Sequence, residues 1–255
     1  MVKLPTGGYD GRGVFVCPSV EALPCVPVGG DAGEWLLEAH VAIETELAVV
    51  LARRPNGRWV AYPVIGTTQD DGICRELTMP AAIPDAVAER ATSLAVSIAL
   101  GVDAVGIAAV ELFLTTGGEL LVNELATRPH NSGHATIDAC TTSQFENHVR
   151  AVLDWPLGDT SMRAPSAATV NVLGPDHPLD LARTLPAALE DPAVRVHLYR
   201  KDPVPNDTRI APLDADFSMA KPSLHGVDIG PRFLFLSAFA CEQPRRPARS
   251  QVSCE

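Results

Sequence analysis

Residues 106–134 read G-I-A-A-V-E-L-F-L-T-T-G-G-E-L-L-V-N-E-L-A-T-R-P-H-N-S-G-H, and this stretch decides the fold class. An apolar run, G-I-A-A-V-E-L-F-L, meets the turn T-T-G-G and a second run, E-L-L-V-N-E-L. That is the pattern of an antiparallel hairpin. If Leu114 faces Glu119 across a four-residue turn, Glu111 faces Val122. Glu111 and Glu124 then become diagonal neighbours on one face, about 7–8 Å apart at the backbone. An odd-length turn would send them to opposite faces. Two acids on a mostly apolar hairpin are costly unless paired or metal-bound. Converging from that distance they suit a hard divalent cation, with phosphate oxygens completing its shell.

The second strand runs directly into a dense polar set. Asn123, Glu124, Arg128, His130, Asn131, Ser132 and His134 fall within twelve positions. Loops leaving strand ends are where scaffolds tend to carry chemistry. The alternative is a solvated loop with a helix cap at Asn131 or Ser132.

With 255 residues, 46% hydrophobic and 20% charged, the chain can hold one large or two small domains around a real core. No apolar run approaches bilayer length, and the start reads as neither signal nor transit peptide. The expected setting is therefore the cytoplasm, with no membrane partner. Cys17, Cys25, Cys74, Cys140, Cys241 and Cys254 show no C-x-x-C spacing and read as reduced thiols. A net charge of −11 argues against nucleic acid as a partner. A nucleotide needs only one or two local cations, backbone N–H groups and a metal held by carboxylates. The charge is uneven: residues 221–255 hold five basic and three acidic side chains, net +2, which leaves −13 on residues 1–220.

Upstream of the hairpin, T-G-G-Y-D-G-R-G-V-F-V follows Lys3. Its glycines let the backbone approach a ligand closely, while Asp10-Gly11 is also a hairpin signal. A plain hairpin and a phosphate-closing loop both remain open, and the spacing fits no Walker A loop or dinucleotide fingerprint. Residues 46–52 suit a strand returning over 58–65 after the turn R-R-P-N-G. Glu38 and Glu46 lie before and within it, either as solvated charges or as ligand contacts. Asp85 reads as the N-cap of a packing helix over residues 86–100, with Gly101 as its C-cap. Downstream, Ser143-Gln-Phe-Glu146 is a capping box opening a helix that carries Phe145, Val149, Val152 and Leu153. A strand at 168–173, a helix at 179–189 broken at Pro186, and a strand at 194–199 follow. Beyond Lys221 no period of 2 or 3.6 is visible, and the tail is expected to be disordered or poorly packed.

Four motifs carry a resemblance. They are G-G-Y-D-G-R-G, then Y-P-V with D-G-I-C-R-E (residues 62–76), V-E-L-F (110–113) and N-E-L-A-T-R-P-H-N-S-G-H. The chain resembles the 5-(carboxyamino)imidazole ribonucleotide synthase family of ATP-grasp ligases over residues 2 to roughly 200. The resemblance implies an α+β ATP-grasp fold of antiparallel sheets with flanking helices over residues 1–158. It further implies a small C-terminal α/β subdomain over 165–217, with an atypical tail over 218–255. It implies ATP and Mg²⁺ as cofactors, bicarbonate and 5-aminoimidazole ribonucleotide as substrates, and a homodimer. Lys3 and the loop Gly8, Tyr9, Asp10, Gly11, Arg12, Gly13 and Val14 would hold the ATP phosphates. Glu38, Ala39, His40 and Val41 would form the hinge against adenine, with Glu46 on the ribose and Gln69 as a further ATP contact. Glu111 and Glu124 would bind the metal, with Asn123 beside them. Arg128, His130 and Asn131 would hold bicarbonate and its phosphorylated form, and Lys201 and Arg209 would serve the ribonucleotide.

The residue types fit that chemistry. Bicarbonate is a poor electrophile until phosphorylated, and the transferring phosphoryl group calls for fixed cations. Two departures are visible. The family's preceding nucleotide-binding-like domain has no counterpart in this chain. Tyr199-Arg-Lys201 matches the family's Y-x-K, but D-P-V-P-N-D-T-R-I follows in place of a basic segment, leaving Arg209 alone. A truncated form that binds Mg-ATP without turnover, or pairs with another chain, is the competing expectation.

Overall fold

The computed structural model describes residues 1–3, 14–17, 35–70, 73–172, 185–186, 188–199 and 233–240. In chain order the strands begin with β1 (Val2–Lys3), β2 (Val14–Phe15), β3 (Leu36–Leu37) and β4 (Ile43–Arg53). β5 (Trp59–Ala61), β6 (Ile65–Asp70) and β7 (Ile73–Met79) precede helix α1 (Asp85–Gly101). The hairpin β8 (Gly106–Thr115) and β9 (Leu120–Ala126) leads to a 3-10 turn (Asn131–Gly133), α2 (Thr136–Ala139) and α3 (Gln144–Val152). Strands β10 (Ser166–Val172), β11 (Arg195–Tyr199) and β12 (Phe233–Ala240) complete the described elements. A small sheet has the order β2-β1-β3. A nine-stranded antiparallel sheet runs β11-β12-β10-β7-β6-β4-β8-β9, with β5 paired to β4.

The run L-A-V-V-L-A of β4 has no polar side to turn to water, and every residue from Leu47 to Ala52 is buried. Side chains alternate across a strand, so the run feeds two cores. Leu47, Val49 and Leu51 pack with Ala91, Ala95 and Ala99 of α1. Ala48, Val50 and Ala52 pack with Ile107, Ala135, Ala139 and Cys140 on the opposite face. The alanines of α1 recur every four residues, which brings that helix close to the sheet.

The returning strand expected at 58–65 is split. β5 pairs with the end of β4 and β6 with its beginning. Pro63 separates them because it has no N–H to give to the ladder. Helix α1 begins one residue earlier than expected: Pro84 is its N-cap, and Asp85 lies in the first turn. Ser143 does cap α3, accepting from the Glu146 N–H at 3.2 Å. Yet the buried residues of α3 are Gln144, Asn147 and Ala151, while Phe145, Val149, Val152 and Leu153 are exposed.

β10 joins β7 directly, Ala167 facing Met79, so the proposed C-terminal strands share the large sheet. The end of the helix expected at 179–189 is described, with the Leu189 N–H on the Leu185 carbonyl at 3.1 Å. The expectation of a disordered tail is corrected for Phe233–Ala240, which inserts as β12 between β10 and β11. F-L-F-L-S-A-F-A is uncharged and without alternation. Periodicity therefore gave no strand signal there, although a central strand needs only two free edges.

Candidate active site

The β8–β9 hairpin closes differently from the four-residue turn assumed above. Leu114 pairs with Leu120, not Glu119, across a five-residue turn in which Gly118 adopts φ +79°. An unbroken ladder in that register would set Asn123 opposite Glu111 and turn Glu124 to the other face. A bulge intervenes between Glu111 and Leu112, and Glu124 becomes the direct partner of Glu111. A bulge lets two residues of one strand oppose one of the other. Asn123 accordingly also reaches Glu111, its Nδ2 donating to Oε2 at 3.4 Å. The convergence holds, through a bulge in place of diagonal register.

Across β8, Ala48 faces Glu111 and Glu46 faces Phe113, so Glu46 and Glu111 share a sheet face. Burial raises the carboxyl of Glu46 above the ordinary range, the neighbouring Glu111 charge adds to this, and a hydrogen bond from Gln69 opposes it. Burial likewise raises Glu111, offset by His130. Glu124 is more exposed and lies below the ordinary range, chiefly through the His130 imidazole, with Arg128 and Lys3 contributing positive field.

His130 stands at the centre of this set. Its backbone is extended, and it caps the 3-10 turn, Nδ1 accepting from the Ser132 N–H at 3.4 Å. Nε2 lies 3.8 Å from both Glu111 Oε1 and Glu124 Oε1. Glu111, Glu124 and His130 offer ligand atoms within 4.8 Å of one another, the one such grouping among the described residues. A carboxyl whose charge is disfavoured by burial, facing a second carboxyl, is relieved by a divalent cation. The two carboxylates suit a hard ion such as Mg²⁺, with the imidazole beside them. The residues present therefore fit the metal.

The remaining expected positions divide. Lys3 pairs with Glu38 at 2.6 Å and also lowers Glu124, so it lies between the proposed hinge and the acidic pair. Ala39, His40 and Val41 form the irregular link from β3 to β4. Val14 sits on β2 of the small sheet. Arg128 is exposed, with Nη1 on the Pro129 carbonyl at 3.1 Å. The Asn131 side-chain oxygen accepts from Ser132 N–H at 2.8 Å, so it serves the turn. The helix cap considered for Asn131 or Ser132 is His130 instead. Gly8, Tyr9, Asp10, Gly11, Arg12, Gly13, Lys201 and Arg209 lie outside the described residues.

Sequence reading missed Gln144. Inside the capping box it carries no signal of its own, yet it is fully buried and grips the His130 backbone at both N and O. No periodicity marks a side chain whose partners are backbone atoms.

An ATP-grasp domain model matches residues 1–145. The chain belongs to the ATP-grasp family. N5-carboxyaminoimidazole ribonucleotide synthase of Mycobacterium tuberculosis is 46% identical over 210 residues, covering 79% of this ATP-grasp chain and 48% of the relative. Phosphoribosylaminoimidazole carboxylase of Saccharomyces cerevisiae is 41% identical over 212 residues, covering 81% and 37%. The solved ADP complex of an N5-carboxyaminoimidazole ribonucleotide synthetase aligns with TM-score 0.75 at 31% identity, covering 94% of this chain and 56% of that one. The carboxyaminoimidazole ribonucleotide synthase from Aspergillus clavatus complexed with ATP gives TM-score 0.73 at 30% identity, covering 94% and 57%. The α+β ATP-grasp fold is thus shared with these proteins. The chain spans about half the length of the curated relatives it matches.

Proposed function

We propose that this chain carries out ATP-dependent carboxylation of 5-aminoimidazole ribonucleotide with bicarbonate, through carboxyphosphate, in purine biosynthesis. The observation that carries the reading is the bulge that sets Glu111 and Glu124 face to face, with His130 Nε2 3.8 Å from each. A bicarbonate oxygen attacks the γ-phosphorus of ATP, the β–γ P–O bond breaks, and ADP leaves. The ribonucleotide amine then attacks the carboxyl carbon, phosphate departs, a C–N bond forms and the amine loses a proton. Glu111 and Glu124, with Asn123 beside them, would hold Mg²⁺, which neutralises charge on the phosphates during transfer.

This chain's own groups do the rest. His130 and Arg128, with Asn131, hold and orient the bicarbonate oxygens, the guanidinium presenting a planar fork. Lys3, Val14 and residues Gly8, Tyr9, Asp10, Gly11, Arg12 and Gly13 close on the phosphates. Glu38, Ala39, His40 and Val41 border adenine, Glu46 and Gln69 take the ribose side, and Lys201 and Arg209 meet the ribonucleotide. A cytoplasmic location and a homodimer belong to the same proposal. Among the described residues no helix is long and apolar enough to cross a membrane.

The test is steady-state ADP release with bicarbonate and 5-aminoimidazole ribonucleotide, each omitted in turn. Turnover that needs both supports the activity. A second reading, Mg-ATP binding without ribonucleotide turnover, is favoured by the D-P-V-P-N-D-T-R-I segment after Lys201, which carries a single cation. It would appear as ATP binding with no ribonucleotide-stimulated ADP release.

A further inference from the structure

We infer that Gln144 is a positioning residue: its buried amide clamps the His130 backbone and thereby aims the imidazole between Glu111 and Glu124. This rests on the reading of His130 as a group that meets the activated anion.

The clamp is two-pronged. Gln144 Oε1 accepts from the His130 N–H at 3.0 Å, and Gln144 Nε2 donates to the His130 carbonyl at 2.7 Å. One side chain thus imitates the neighbouring strand of a ladder for one residue that has no strand beside it. Gln144 is itself held. Its N–H donates to Thr136 Oγ1 at 2.9 Å, and that hydroxyl donates to the Gly133 carbonyl at 2.6 Å. Gly133 leaves the space the amide fills, since a Cβ there would lie 2.5 Å from Gln144 Oε1. Gln144 and Thr136 are both wholly buried, and Ser132 and His130 nearly so. The first residue of α3, α2, the 3-10 turn and His130 therefore form one hydrogen-bonded block.

The block also fixes which nitrogen faces the acids. Nδ1 lies 3.4 Å from the Ser132 nitrogen and 3.1 Å from Ser132 Oγ, which holds that side of the ring against the turn and presents Nε2 to the carboxylates. Breaking the clamp costs the buried His130 N–H its partner, leaves the carbonyl with the Gly133 N–H alone at 3.0 Å, and frees His130 to turn. A shift of about 1 Å in such a group can lower a rate by roughly a hundredfold.

The test compares wild type with Gln144→Met, which keeps the volume and loses both bonds, and Gln144→Glu, which keeps the acceptor. Two readouts are used on the full chain. In Gln144→Met, exchange of the His130 amide should speed by roughly tenfold, the loss of about one hydrogen bond, while amides of β8 stay unchanged. The His130 ring ¹⁵N resonances should shift as Nδ1 leaves its place against Ser132. In turnover, kcat should fall by roughly ten- to a hundredfold with the ATP KM within about twofold. Gln144→Glu should fall between, and it carries the test if Gln144→Met does not fold. Unchanged His130 exchange and ring resonances would overturn the clamp. Loss of kcat with a parallel rise in ATP KM, or no loss of kcat, would overturn its positioning role. If wild type shows no turnover, the proposed carboxylation fails, and the exchange and resonance measurements decide the clamp alone.

Discussion

The two faces of β4 are built for different ends. Toward α1, Leu47, Val49 and Leu51 meet a stripe of alanines, and the one buried polar side chain the strand adds there, Arg53, lies at its end with Nη1 on the Ala104 carbonyl at 2.7 Å. Toward α2 and α3 the strand offers Ala48, Val50 and Ala52, and the layer above includes buried Gln144, Asn147, Thr136 and His130. Small strand residues there leave room for amides and hydroxyls. Each has a partner: Asn147 Nδ2 donates to Tyr62 Oη at 2.8 Å, and Tyr62 Oη donates to the Thr142 carbonyl at 3.0 Å. Asn147 Oδ1 accepts from the Gly158 N–H at 2.8 Å. The first face supplies stability that any close-packed apolar set could supply. The second supplies direction, because hydrogen bonds fix angles as well as separations. The acidic pair and His130 lie on the second face, at the end where β4, β8 and β9 leave the core.

If that division is right, substitutions on the two faces separate stability from activity. The largest effect is expected at the proposed metal pair: Glu124→Gln should lower Mg²⁺-dependent ATP turnover by at least about a hundredfold, with a melting temperature close to wild type. Next comes the α1 face, where Leu51→Ala should cost about 2–5 kcal/mol by denaturant unfolding. The kcat of the fraction that remains folded should be unchanged. Tyr62→Phe removes a donor to Thr142 and an acceptor for Asn147, and should cost about 1–3 kcal/mol. Burial pushes the Tyr62 hydroxyl above the usual tyrosine range, so no loss of this bond by ionisation is expected at neutral pH.

A smaller, pH-dependent effect is expected at Glu46. Its carboxyl is raised in the folded chain, so the folded state holds this proton more tightly than the unfolded one. The associated stability is fully present below the ordinary glutamate pKa and is lost as pH rises through the folded-state value. Glu46→Gln should therefore melt higher than wild type at neutral pH without metal or nucleotide, and the gap should shrink as pH falls toward the ordinary glutamate range. An equal gap at all pH values would contradict the burial of that charge. Smallest of all, Val149→Ala on the exposed side of α3 should shift stability by no more than about 0.5 kcal/mol.

Much of this was legible in the chain. The apolar run at 47–52 foretold a strand, and the polar set after Leu120 supplies Glu124 and His130, which the structure brings to Glu111. The register was not legible, because turn length is counted in residues while a bulge is set by backbone geometry. Counting placed Leu114 against Glu119. The structure shifts that pair by one and adds a second one-residue shift at Asn123, which restores the shared face and sets Glu124 opposite Glu111. Helix α3 misled for a related reason. Its apolar residues suggested the packed side, but its inner positions are filled by amides that bond to backbone atoms, and such partners leave no pattern in side-chain hydrophobicity. β12 was hidden because a run without alternation carries no register.

The most direct test of the acidic pair is a thermal-shift titration of wild type and Glu124→Gln with ATP, with and without Mg²⁺. Mg²⁺ should add a large ATP-dependent rise in melting temperature in wild type, and that Mg²⁺-dependent part should vanish in Glu124→Gln. An equal Mg²⁺-dependent rise in both proteins would contradict the assignment of Glu111 and Glu124 as the metal's carboxylates.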